Sequence, residues 1–279
     1  MSTALSTAKP DRAAWLSAHP QYTLAPLLLV VLVAGWHLVT ASGAVPAYIL
    51  PKPLDVLRVL LQGLSAPPGN PISLWPHLGI TVAESVLGFA IGSIAGIAIG
   101  MGLAHSRLAE QVFYPYIIAF QALPKIAIAP FLVVWFGFGI EAKVLITSVI
   151  TFFPLLVNSM AGYHAVEPDR IDLARACNAT GLQIFSKIIL PSSLPFIFAG
   201  LNMAAVLALL GAIVGEFVGA QSGLGMLLLQ YNNNLNMAGA FAILVLLGLI
   251  GMAFSQIMRI AEKRFCFWAR RPKFNNGQG

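Results

Sequence analysis

Long stretches of this chain carry no Asp, Glu, Lys or Arg: residues 13–51, 85–104, 144–166, 188–215 and 217–258. A bilayer's hydrocarbon core, about 30 Å thick, is crossed by roughly 20 apolar residues in a helix. Even the shortest of these stretches reaches that length, and the longest has room for a span, a loop and another span. Backbone in lipid must satisfy its own hydrogen bonds, so the stretches read as helices and not as open strands. Composition agrees. Only 9% of the 279 residues are charged and 58% are hydrophobic, against about 25% charged in a soluble domain. Mean hydropathy is +0.83. The chain is expected to be an all-α integral membrane protein.

Six spans are expected, at about 22–41, 79–104, 112–137, 142–163, 195–220 and 239–261, within one transmembrane domain over 22–262. Residues 1–21 read as a polar tail. Ser42-Gly43-Ala44 offers small residues for signal cleavage, but the first apolar stretch exceeds the 7–15-residue core of a signal peptide, so an uncleaved anchor is expected. Residues 42–78 are proline-rich, and 54–61 fit a short amphipathic helix on the membrane surface. In span two, Gly88, Gly92, Gly96 and Gly100 recur every four residues. That places them on one helix face and permits close approach of a neighbouring span. Span three contains Pro115, Pro124 and Pro130, each able to kink a helix. Residues 221–238 are uncharged and read as a short re-entrant or interfacial helix.

Six spans put both termini on one side. The tails, the spans' ends on that side and segment 164–193 hold Lys9, Arg12, Arg107, Arg170, Arg175, Lys187, Arg259, Lys263, Arg264, Arg270, Arg271 and Lys273, 12 of the 16 Lys and Arg residues. Lys52, Arg58 and Lys143 lie opposite, and Lys125 lies within span three. The positive-inside rule then places both termini, the basic 263–279 tail and segment 164–193 in the cytoplasm of a multi-pass protein. The +6 net charge does not point to nucleic acid, because the basic residues flank apolar runs. Cys177 and Cys266 give neither a disulfide framework nor a metal spacing.

Segment 164–193 is too long for a tight turn and too short for a domain. Glu167, Pro168 and Asp169 are helix-start signals, and a first helix is expected over about 169–177. Asn178 follows, and Asn tolerates positive φ better than other non-glycine residues. A second helix is expected over about 180–190, ended by Pro191 and Pro195, which turn the chain back into the membrane. On these residues alone an ordinary amphipathic surface loop fits equally well.

The segment also resembles the "EAA" loop of ABC-importer permeases, whose pattern is Glu-Ala-Ala, three residues, Gly, nine residues, Ile, one residue, Leu-Pro. Leu190-Pro191 and Ile188 match its end, Asn178 stands at the Gly position, and Asp172-Leu173-Ala174 stand at Glu-Ala-Ala, all without a gap. Asp keeps the charge of Glu, Asn keeps the turn's tolerance of positive φ, and Leu173 is bulkier than Ala. Gly181 is the other candidate for the turn. Further strings are similar to the nitrate/sulfonate/taurine-type branch: Leu50-Pro51-Lys52-Pro53, Gln121-Ala122-Leu123-Pro124-Lys125-Ile126-Ala127, Trp135-Phe136-Gly137-Phe138-Gly139 and Gly215-Glu216-Phe217-Val218-Gly219. The resemblance covers about 48–268. It implies a type I importer permease fold in the cell inner membrane. It also implies a homodimer, two ATPase subunits that bind ATP and Mg, and an extracytoplasmic solute-binding protein. The substrate would be a small anion such as nitrate, a sulfonate or taurine, with heterocyclic vitamin precursors as the alternative, and segment 164–193 would dock into the ATPase.

Glu84, Lys125 and Glu216 fall within expected spans. Charge in lipid is costly, so such residues face a bundle interior or a cavity. Counted at 1.5 Å per residue, Glu84 and Glu216 share one layer, with Lys125 reaching toward one of them. Three readings stay open: an ion pair that fixes packing, a lysine beside the pathway that compensates an anionic substrate, or a proton relay. The relay would belong to a secondary transporter, the rival from another class. His37, His77, His105 and His164 have no metal-ligand spacing. No Gly-Lys-Ser/Thr phosphate loop and no nucleophile–base pattern is visible, so neither ATP hydrolysis nor another enzyme activity is expected of this chain.

Overall fold

Among the residues described by this computed structural model, 21–268, every regular element is helical. In order they are α1 (Gln21–Ala41), α2 (Pro53–Ser65), α3 (Trp75–His105), α4 (Arg107–Ala122), a 3-10 turn (Lys125–Ile128), α5 (Ala129–Phe136), α6 (Ile140–His164), α7 (Pro168–Ala176), α8 (Gly181–Ile184), a π turn (Phe185–Ile189), α9 (Leu190–Phe217), α10 (Leu224–Asn233) and α11 (Met237–Phe265). Five helices are long and apolar enough to cross a membrane, and α4 with the 3-10 turn and α5 forms a sixth, bent candidate. The tail residues Lys9, Arg12, Arg270, Arg271 and Lys273 lie outside the described residues.

The centre of the bundle is α6, held between α3 and α9. The glycine stripe of α3 makes this possible. Gly88 faces Thr147, Gly92 faces Ser148 and Thr151, Gly96 faces Phe152 and Leu155, and Gly100 faces Leu156 and Ser159. Both series number upward together, so α3 and α6 run parallel, backbone against backbone. On the other side, Gly200 faces Asn158, Gly211 faces Thr147 and Gly215 faces Lys143. Here the numbers run oppositely, so α9 is antiparallel to α6. Small side chains let helices approach where no hydrophobic effect drives them together. Along the α6 face Thr147 donates to Lys143 O at 2.9 Å and Thr151 to Thr147 O at 2.9 Å, whereas the buried Ser159 hydroxyl has no hydrogen-bond partner among the described residues.

Around this sandwich lie α5, which packs Leu132 and Val133 on Ile146 and Val214, and α11, which packs Ile243 and Leu246 on Leu209 and Leu224. The short helix α2 is amphipathic: Val56 and Leu60 join the α11 cluster, whereas Leu54, Leu57 and Leu61 are exposed. Helix α1 is the least covered. Its apolar side chains from Leu24 to Val33 stand exposed, and its tie to the bundle runs through Trp36, which donates to Pro51 O at 2.9 Å and packs on Phe241.

Two places depart from the sequence expectation. The stretch expected as span three is two helices meeting at 83°. Pro124 has no N–H, and the residue before a proline is pushed out of the α region; Leu123 is accordingly extended at ψ 138°. Pro115 sits inside α4 and Pro130 in the first turn of α5, where a missing N–H is no loss. The second correction concerns Pro191 and Pro195, which do not end a helix. The chain is helical without interruption from Gly181 to Phe217. The π turn at Phe185–Ile189 widens the ladder, with Leu190 N–H donating to Phe185 O. That single-turn widening makes room for a proline ring that would clash in a regular α-turn.

Candidate functional site

Two clusters of functional side chains stand at opposite ends of the central helices. The first is the polar segment between α6 and α9. Helix α7 ends in a left-handed turn at Asn178, φ +60°. Asn178 N–H donates to Arg175 O at 2.9 Å, and Ala179 N–H to Ala174 O at 3.0 Å. This is the six-to-one and five-to-two pattern of a Schellman C-cap. Gly181 has ordinary helical backbone and open space around it, so Asn178 is the turn residue. Helix α8 opens with a capping box: Thr180 Oγ1 accepts from Gln183 N–H at 3.3 Å, and Gln183 Oε1 accepts from Thr180 N–H at 2.8 Å. The Thr-x-x-Gln signal was present in the sequence and is a known helix-start signature.

The segment has two faces. Inward, Val166, Ile184 and Ile189 bury against Met101, with Ile171, Ala174, Ala179, Ile188, Leu190 and Tyr163 around them. The segment is therefore seated on the ends of α3 and α6. Outward, Leu173 and Leu182 are 67% and 77% exposed. Beside them, Asp172 pairs with Arg175 at 3.2 Å, both side chains in solvent. Asp172 lies in the middle of α7 and caps nothing. Pro191 stands one residue into α9, half-buried. Two hydrogen bonds brace the helices above the segment: His105 Nδ1 with Tyr163 Oη at 3.0 Å, and His164 Nε2 with Glu110 at 2.8 Å.

The second cluster is a buried charged layer at the other end. Lys143 Nζ lies 3.0 Å from Glu84 Oε1, with the side chains 7% and 1% exposed. Glu84 Oε2 has no hydrogen-bond partner among the described residues. Glu216 accepts the Thr81 hydroxyl at 2.6 Å and the Gly225 N–H. Leu224 N–H donates to Thr81 Oγ1 at 2.8 Å, and Gly223 N–H to His77 Nδ1 at 3.1 Å. The first amides of α10 are thus capped by side chains of α3 and α9, not by a side chain of the turn that precedes the helix. A helix N-terminus carries unsatisfied donors and partial positive charge, and a buried carboxylate answers both. Gly223 and Gly225 are required here, because a Cβ on Gly223 would overlap the Glu216 carboxylate and one on Gly225 would come within 2.7 Å. Gly223 also has φ +121°.

The expected pairing of Lys125 with the acids is corrected. Lys125 donates to Gln121 O at 3.0 Å and lies 5.1 Å from the Phe153 ring centroid. The partner of Glu84 is Lys143. Counting residues along a span gives depth but not direction, and Lys125 turns toward α6 at the α4–α5 break. An ion relay through Glu84, Lys125 and Glu216 has no continuity in this arrangement. A usable signal did exist: one helical turn before the facing residues Gly88 and Thr147 stand Glu84 and Lys143. No group of three or more His, Cys, Asp and Glu side chains forms a metal site among the described residues.

Residues 88–265 match the family model described as "Binding-protein-dependent transport system inner membrane component". A chain of Haemophilus influenzae named as an ABC transporter permease protein is 35% identical over 80% of this chain and 89% of its own length. The riboflavin transport system permease protein RibX of Chloroflexus aurantiacus is 32% identical over 87% and 89%. A chain of Bacillus subtilis named as the aliphatic sulfonates transport permease protein SsuC is 28% identical over 87% and 86%. Among solved structures, the crystal structure of an amino acid ABC transporter with histidines superposes with a TM-score of 0.56. It is 18% identical and covers 76% of this chain and 96% of that one.

Proposed function

Because this chain belongs to the family of binding-protein-dependent transport system inner membrane components, we propose that it forms the membrane pathway of an ATP-driven importer as a homodimer. Its fold is the type I ABC permease fold, and its family is one of permeases, not of enzymes. In this reading two ATPase subunits bind ATP and Mg on the cytoplasmic side, and a binding protein delivers solute on the other. The chain is multi-pass in the cell inner membrane, with both termini cytoplasmic. The solute is small, of the class of nitrate, sulfonates, taurine and similar organic anions. The names of its relatives, which span aliphatic sulfonates and riboflavin, support a small organic solute.

The observation that carries the mechanism is the two-faced segment 164–193. Leu173, Leu182 and Asp172 point out, as a docking helix needs, while Ile184 and Ile189 are buried against Met101. Asp172, Leu173, Ala174, Asn178, Gly181, Ile188, Leu190 and Pro191 make up this coupling unit. ATPase closure would drag it, and with it α3, α6 and α9, from an inward-open to an outward-open arrangement. Exposed apolar side chains beside a charge pair are the elements of a specific interface. The test is Asp172→Lys in cells co-expressing the ATPase and binding protein. The variant should reach the membrane at normal level, with ATP hydrolysis uncoupled from uptake. Normal uptake would sink the role given to Asp172.

A further inference from the structure

A cavity of about 450 Å³ lies between α3, the α4–α5 break and α6. That is within the roughly 300–1,000 Å³ range of small-molecule sites. Ile91, Phe120, Leu132, Phe152 and Phe153 form much of its wall, and Lys125 is the one charged side chain in it. Ser148 also lines it, but its hydroxyl is spent on Val144 O at 2.7 Å. The ammonium of Lys125 has three donors, and Gln121 O takes one. Among the described residues no carboxylate comes within ion-pair distance of it. Lys143, by contrast, is paired with Glu84 at 3.0 Å.

The Phe153 ring face at 5.1 Å and Gln121 O offset part of the charge of the half-buried Lys125, and a bound anion would complete that offset. Helix α4 climbs about 24 Å from Arg107 to Ala122 at 1.5 Å per residue, about 6 Å short of crossing a core about 30 Å thick. A lipid phosphate therefore offers the same chemistry as a free anion, and the phosphatidylcholine present in every sample of the test supplies that comparison. We propose that the Lys125 cavity is a binding site for a small organic anion, its sulfonate or carboxylate head on Nζ and its short apolar body against Leu132, Phe152 and Phe153. A bare inorganic anion would leave those walls unfilled, and an organic cation would meet the ammonium. The proposal rests on the reading of the chain as a solute permease, and it assigns the place in the fold where that solute is held.

The test uses the full-length chain in phosphatidylcholine nanodiscs, with butane-1-sulfonate as probe and butan-1-ol as its uncharged control. Amine acylation followed by peptide mass spectrometry reads each lysine. The sulfonate should protect Lys125 and leave Lys52 unchanged, and the alcohol should protect neither. By calorimetry, Lys125→Met should weaken sulfonate binding about tenfold or more, the loss of a charge-assisted contact, while Lys125→Arg largely retains it. Equal protection by the alcohol, no protection by either, or undiminished binding in Lys125→Met would each overturn the proposal. Co-purification of an ATPase subunit is measured on the same samples. Sulfonate binding without ATPase association would refute the permease reading and leave the site standing. ATPase association without sulfonate binding would refute the site alone.

Discussion

Replacing Gly92 by alanine tests whether α3 and α6 are held backbone to backbone. A Cβ at position 92 would lie 2.5 Å from Ser148 O and would overlap Thr151 Oγ1. The hydroxyl can rotate only by giving up its bonds to Thr147 O and Ser148 O. The Ser148 carbonyl cannot move unless α6 moves. The two helices must therefore separate, and the separation loosens the Gly88 and Gly96 contacts as well. Overpacking of this kind costs about 1–3 kcal/mol. Alanine also favours the helix over glycine by about 1 kcal/mol, which masks part of the loss. Gly248, in the middle of α11, removes the ambiguity, since nothing lies within 4 Å of a Cβ there. Gly248→Ala gains the propensity term alone. The difference between the two variants is then the overpacking cost, about 1–3 kcal/mol in unfolding free energy. Purified chain in mixed micelles, unfolded with increasing SDS and followed by circular dichroism, gives that difference. If both variants unfold at the same SDS fraction, the close approach along the glycine stripe is refuted.

Lys143→Met leaves the Glu84 carboxylate buried and alone, and should cost about 3–5 kcal/mol in the same assay. The double variant Glu84→Gln with Lys143→Met removes both charges and should recover most of that loss; no recovery would mean that the pair is not an isolated unit. Asn178→Gly should be tolerated at φ +60°, whereas Asn178→Val should cost about 1–2 kcal/mol locally and reduce ATPase co-purification. Equal co-purification of the two variants would show that the turn's geometry does not set the docking surface.

Much of this architecture was legible because it is local or periodic. The four-residue spacing of Gly88 to Gly100 gave a contact face, and Asn178 between two helix signals gave a left-handed turn. Both follow from backbone sterics that act within a few residues. The unforeseen features depend on the third dimension. Pro191 reads as a helix stop in any local window, and the π turn that accommodates it leaves no compositional mark. Lys143 sits at the start of α6, where it reads as a solvent-facing flank, until its alignment with Glu84 across the α3–α6 contact is known. The capping of α10 by Thr81 and His77 joins residues more than a hundred positions apart, and no periodicity reports such a bond.

The unbroken helix from Gly181 to Phe217 has a mechanical consequence. Its 37 residues make a shaft about 55 Å long. A tilt of about 5° at one end swings the other by about 5 Å, the rise of one helical turn. Such a shaft bends readily only at the π turn and at Pro195, both near the end that carries Leu182. Beyond Pro195 the helix is a stiff arm, and near its tip Glu216 grips the first turn of α10. A push on Leu182 that does not dissipate at those two joints therefore moves α10, on the far side of the bundle, as one piece with the arm.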